Sequence, residues 1–209
     1  EGEMGESSVK SLGIRPNGVP GMDGSATGPR HALRTMEAAL RARDILDSLR
    51  GGRPSDAQVL EVFRMLDIPR NKMRRKVMRD EHLSEGVRTQ TLGLVRKRDT
   101  QTLEVAKGTP ELRDVCLLLR SWLHLPGVEE VPFTSITLNR GYAAARHRDD
   151  ANVGPSVARA LGDFTGGGRL LYWPRDSKAH IKQLRMEDAV VCDLKSGFVP
   201  FDGRCAHEV

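Results

Sequence analysis

The sequence predicts an α+β protein, a helical N-terminal extension followed by a β-rich core, and three observations carry that prediction. Residues 29–66 place apolar side chains at helical spacing, with Gly51-Gly52 and Pro69 as stops. From residue 87 the pattern changes to short β-branched runs separated by glycine, proline and polar turns. One later stretch, Pro110–Leu123, returns to helical spacing.

Residues 1–28 are rich in Gly, Ser and Pro with few large apolar side chains, and read as a flexible leader. Residues 29–50 form the first helix, with Pro29 tolerated in its first turn and Leu33, Met36, Leu40 and Leu46 as its apolar stripe. Ser55 is a good N-cap for a second helix whose stripe is Val59, Leu60, Val62, Phe63 and Leu66. The run Arg70–Arg79 holds six basic residues and reads as a third helix with Met73 and Val77 inward. It is either a solvated face or a phosphate-contacting helix.

In the β region, Thr89–Arg96 and Thr102–Ala106 predict a hairpin turning at Arg98-Asp99. Pro110–Leu123 is a helix carrying Val115, Leu118, Leu119 and Trp122, expected on the outer face of the β core. Further strands are expected at 133–139, 157–161, 168–173, 188–194 and 197–201. The resulting division is leader 1–28, helical extension 29–86 and core 87–209, one domain's worth of chain with an extension.

No apolar run approaches the length of a membrane span. Three widely spaced cysteines, Cys116, Cys192 and Cys205, make neither a disulfide framework nor a zinc pattern. They suit a reducing compartment, so an intracellular location in cytoplasm or nucleus is expected. The net charge of +5 favours an acidic partner, and nucleic acid is the commonest.

The chemistry concentrates in His147-Arg148-Asp149 and the distant His207. Two imidazoles and one carboxylate hold Fe(II) on one face and leave the opposite positions open. Residues two apart on a strand point the same way, so His147 and Asp149 can share one ion. The neighbouring Asp150 should face away and cap the next loop. Thr134–Asn139 reads as a strand feeding this loop, and Phe201–Val209 as a tight turn delivering His207 to another strand. Between them, Gly166-Gly167-Gly168 bends the chain into Arg169–Trp173. Arg146 and Arg148 flank His147, facing either substrate phosphates or solvent. Tyr172 and Trp173 either stack on a base or pack in the core. His31, His82, His124 and His180 show no partner ligands.

In this order the residues resemble the Fe(II)/2-oxoglutarate dioxygenases, whose double-stranded β-helix, a jelly-roll or cupin-like fold, carries H-x-D, a glycine-bend strand and an F-D-G strand ending in H-x-V. The resemblance covers roughly residues 87–209. It implies Fe(II) held by His147, Asp149 and His207, with 2-oxoglutarate and O2 taking the remaining positions. The run Asn139–Ser156 is similar to protist and algal dioxygenase domains associated with the nucleic-acid-oxidising, TET/JBP-like branch. With the positive charge, that implies a methylated nucleic-acid base as substrate and the 70–79 segment as a DNA contact. A hydroxylase of protein side chains or of a small metabolite shares the same metal motif. A non-catalytic nucleic-acid-binding module with a degenerate barrel is a third reading. Family members carry a basic residue for the 2-oxoglutarate carboxylate one strand beyond the distal histidine. That position falls past Val209, so the core is expected to be incomplete at its C-terminus. Asn139, Tyr142 and Arg169 are then the candidates for the co-substrate carboxylate.

Overall fold

The computed structural model describes residues 28–72, 77–79, 83–97, 99–100, 102–123, 133–141, 143–149 and 152–209. Residues 1–27 of the leader, Met73–Lys76 of the basic run, His82, Arg98 of the expected turn, His124, Tyr142 and Asp150 lie outside the described residues. Helix α1 spans Pro29–Leu49 and α2 spans Asp56–Met65. Arg50 adopts a left-handed conformation (φ 46°), and Gly51 follows at φ 91°, so the first helix ends where the glycine pair predicts. At α2 the Ser55 side chain accepts from the Gln58 N–H while Gln58 returns a hydrogen bond to the Ser55 N–H, a complete capping box.

The face that α1 buries is only partly the one its leucines mark, since Leu46 packs against the core. Thr35, Ala38, Ala42 and Ile45 are buried, whereas Leu33, Met36 and Leu40 are about half exposed, at 51%, 53% and 50%. Small side chains win because α1 packs closely on α2 and on α3 (Arg113–Leu123), and a leucine stripe would hold the helices apart. α3 buries the four apolar residues expected of it, Val115, Leu118, Leu119 and Trp122.

Strands β1 (Arg70–Asn71), β2 (Val87–Arg96), β3 (Leu103–Val105) and β4 (Ser135–Arg140) form an antiparallel sheet in which β2 pairs with the other three. Leu94 faces Val105 and Arg96 faces Leu103, the hairpin expected from the sequence. The expected helix over 70–79 does not form across its described residues. Arg70 and Asn71 pair with Arg88 and Val87, and Met78, buried, bridges Ala144. Strand pairing satisfies the backbone at both ends of that run, so tertiary context overrides its helical spacing.

The hydrophobic core crosses the boundary expected at residue 86. Residues of α1, α2 and α3 form one buried cluster with Leu92 of β2 and Leu138 of β4. Polar contacts tie the helices to the later strands: Asp56 accepts from Trp122 Nε1 (2.8 Å) and pairs with Arg159.

The remaining strands are β5 (Ser156–Ala158), β6 (Arg169–Tyr172), β7 (Val190–Asp193), β8 (Val199–Phe201) and β9 (His207–Glu208). β5 pairs with β8, and β6 lies between β7 and β9. All these pairings are antiparallel. The fold is therefore mixed, with helices set against antiparallel sheets.

Candidate metal centre

The centre is built where two distant parts of the chain pair. His147 and His207 exchange both backbone hydrogen bonds, each 3.0 Å, and Val209 N donates to Ala144 O (3.1 Å). On its other edge β9 pairs with β6, so that Tyr172 lies opposite His207. Segment 144–147 thus continues the β7-β6-β9 sheet through the His147–His207 bridge. Residues directly opposite in an antiparallel pair project to the same face, and the two imidazole centroids lie 4.3 Å apart. Asp149, two residues on, projects the same way, and its N–H donates to Gly203 O (2.8 Å).

Three ligand atoms from His147, Asp149 and His207 lie within 4.8 Å of one another. His147 Nε2 is 3.7 Å from one Asp149 oxygen and His207 Nε2 is 3.9 Å from the other. Ligands about 2.1 Å from a shared ion are separated by roughly 3–4 Å, so the gap is the size of an ion. The donor set suits a metal for a second reason. His147 Nδ1 bonds Ala145 O (2.7 Å) and His207 Nδ1 bonds Cys205 O (2.9 Å). A carbonyl can only accept, so Nδ1 carries the proton in both rings and each Nε2 turns a lone pair toward Asp149. Burial pushes the His207 imidazole below its usual pKa, against smaller upward pulls from the Cys205 carbonyl and Asp202. The neutral form is the one that binds a metal.

The floor of the site is tight. A Cβ at Gly203 would stand 2.3 Å from Asn152 Nδ2, 3.0 Å from Ser156 Oγ and 3.2 Å from Asp149 Oδ2. Asn152 Nδ2 donates to Ser156 Oγ (2.7 Å), and both residues are buried. Phe201 walls one side, 5.0 Å from the His207 ring and edge-on to it.

Two of the three candidates for the co-substrate carboxylate, Asn139 and Arg169, are described. Asn139 is exposed on β4, and Arg169 is exposed at the start of β6 opposite Asp193. Alternation along β6 sets Arg169 on the face opposite Tyr172, and hence opposite His207. Tyr142, like Asp150, lies outside the described residues. Arg146 and Arg148 are occupied by the fold. Arg146 stacks 4.0 Å over Trp173 and bonds Glu208 and Leu184 O, while Arg148 forks onto Asp176. Trp173 is buried core, with its Nε1 donating to Arg185 O (2.8 Å). All three cysteines are free.

The sequence marks Asn152–Ser156 as a turn beneath the His147–Asp149 loop, but it singles out neither Asp176 nor the two carbonyls that orient the imidazoles. Ala145 and Cys205 each stand two residues before a ligand histidine, a repeated spacing that could have been noticed. Asp176, in a proline-started turn, has no local signature. Comparison with protein-family models, curated proteins and solved structures finds no match to this chain.

Proposed function

We propose that this chain is an Fe(II)/2-oxoglutarate-dependent oxygenase with His147, Asp149 and His207 as the iron ligands. The observation that carries the reading is the convergence of two tautomer-fixed Nε2 atoms and a buried carboxylate on one ion-sized gap. Two imidazoles and a carboxylate on one face are the donor set of non-haem iron oxygenases. Bound Fe(II) would supply oxidation of a substrate C–H bond, driven by decarboxylation of 2-oxoglutarate with O2. The chain's part is to hold both rings with Nε2 toward the Asp149 carboxylate and to shield that carboxylate from water with Phe201 and the Asn152–Ser156 floor. The reading needs no general base.

The strand pairings support the finer fold this function implies, a double-stranded β-helix. β5 pairs with β8 to make one small sheet, and 144–147, β9, β6 and β7 make a second. Asp149 and Gly203, bonded to each other, lie where the two sheets meet. Two small antiparallel sheets are compatible with part of such a roll, which in full has eight strands.

A nucleic-acid base is the substrate class we favour, on the chain's net charge of +5. Hydroxylation of a protein side chain or a small metabolite is the competing reading.

The test is a calorimetric Fe(II) titration under anaerobic conditions, followed by succinate release with methylated DNA, RNA and peptide. The parent binds one equivalent of Fe(II). His147→Ala, Asp149→Ala and His207→Ala each abolish binding, and Asp150→Ala retains it. Loss of metal in the Asp150 variant with retention in the Asp149 variant would overturn the ligand assignment. Iron binding without succinate from any substrate class would overturn the oxygenase reading.

A further inference from the structure

We infer that Asp176 is the positioning residue of the metal centre, its one carboxylate tying the segment that carries His147 and Asp149 to the residue before His207. The inference rests on the metal reading above. Asp176 lies in the turn after β6, folded back so that its N–H donates to Trp173 O (3.2 Å). Its side chain is 0% exposed. Oδ2 accepts from Arg148 Nε (2.5 Å) and from the Ala206 N–H (2.7 Å). Oδ1 accepts from Arg148 Nη2 (2.6 Å) and from the Lys178 N–H (2.9 Å). A carboxylate has about four lone-pair sites, and these four donors fill them.

The placement of those donors is what matters. Arg148 stands between two of the ligands and Ala206 immediately precedes the third. Alternation puts the Arg148 side chain on the face opposite His147 and Asp149. Drawing its guanidinium onto Asp176, and onto Ala179 O (2.8 Å), turns the two ligands inward. The His147–His207 backbone pair fixes only the two histidines in register. Asp149 lies beyond that pair, so its orientation depends on the Gly203 contact and on the Arg148 clamp. The two strands have no covalent tie here; Arg146 and Glu208 pair across them directly, and Asp176 bonds to both from a third segment.

The experiment compares Co(II) binding to the parent, Asp176→Asn and Arg148→Lys, with Asp163→Asn as control. Asp163 forms an exposed ion pair with Arg64, well removed in sequence from the ligands. Asparagine keeps the size of the side chain but places an NH2 where a second oxygen accepted. Lysine keeps the charge but cannot fork across both oxygens. Affinity is read by absorbance titration, ligand geometry by the position and intensity of the Co(II) visible bands, and folding of the metal-free proteins by circular dichroism. Asp176→Asn is expected to bind Co(II) roughly 10–100-fold more weakly, with altered bands and folded-state dichroism retained. Arg148→Lys should show the same band change with a smaller loss, and Asp163→Asn should match the parent. If Asp176→Asn does not fold, Arg148→Lys decides. Parent-like affinity and bands in whichever folded variant is measured overturn the inference while leaving the metal centre standing. A parent that takes no Co(II) overturns the metal centre and the inference with it.

Discussion

Gly203 shows how little room the Asp149 carboxylate has. Its backbone carbonyl holds the Asp149 N–H, and its missing Cβ is the space that Asn152 and Asp149 occupy. Gly203→Ala must therefore push Asn152 or the Asp149 carboxylate. The expected outcome is a loss of roughly 1–3 kcal/mol in a urea melt together with weaker metal binding. A variant that melts like the parent and binds metal equally would show that the floor yields freely. Asp176 makes a second residue-scale prediction. Chiefly through its hydrogen bonds to Arg148, opposed by burial, its carboxyl is held down to about 2 from a reference of 3.8. A depressed carboxyl contributes stability that is present above the unfolded pKa and lost as pH falls through the folded one. Stability should therefore drop by about 2 kcal/mol between roughly pH 4 and pH 2 through this group. Denaturant melts across that window check it, and Asp176→Asn should remove this part of the acid limb.

At the scale of elements, α1 separates local pattern from packing. Its leucines at 33 and 40 are half exposed, while Ala38 and Ala42 are fully buried against α2 and α3. Ala42→Leu should cost roughly 1–3 kcal/mol by overpacking, whereas Leu40→Ala should stay within about 0.5 kcal/mol. Thermal melts of the two single variants decide it, and the reverse order would mean that α1 is rotated from the face described. α2 is the opposite case. Ser55 and the Val59, Val62 and Leu66 stripe agree with the structure because capping and periodicity act within a single turn of chain. The 70–79 run fails for the complementary reason. Its basic spacing reads as a helix, yet Arg70 and Met78 are claimed by partners at Arg88 and Ala144 that no local pattern reveals.

For the whole molecule, charge is less available than the net value suggests. Arg70, Arg88 and Arg140 align in register across β1, β2 and β4. Each is engaged by the fold: Arg70 with Glu85, Arg88 with Asp67 and Ile68 O, and Arg140 with Phe63 O near the end of α2. Guanidinium groups suit the carbonyl end of a helix, so part of the basic excess secures α2 to the sheet. Among the described residues, no helix is long and apolar enough to cross a membrane. The metal reading has a global consequence as well. His147 and His207 join strands far apart in the chain, so a metal that binds only the paired form stabilises the entire fold. At a hundredfold excess over its Kd, Mn(II) should add about 2.7 kcal/mol, seen as a raised melting temperature that a chelator reverses and His207→Ala lacks. An unchanged melting temperature in the parent would separate the triad from metal binding.

The sequence by itself determined α1, α2, α3 and the hairpin strands, because capping, period and turn chemistry act over a few residues, and it singled out His147, Asp149 and His207 as candidate ligands. Which face of α1 is buried, why Arg70–Asn71 and Met78 pair with strands, and how the His147, Asp149 and His207 side chains are aimed were decided by tertiary structure alone. Those outcomes depend on pairs such as Ala42 with its helical neighbours, Met78 with Ala144, and Asp176 with Arg148 and Ala206. The partners lie tens of residues apart, and only the closed fold brings one within hydrogen-bond or packing distance of the other.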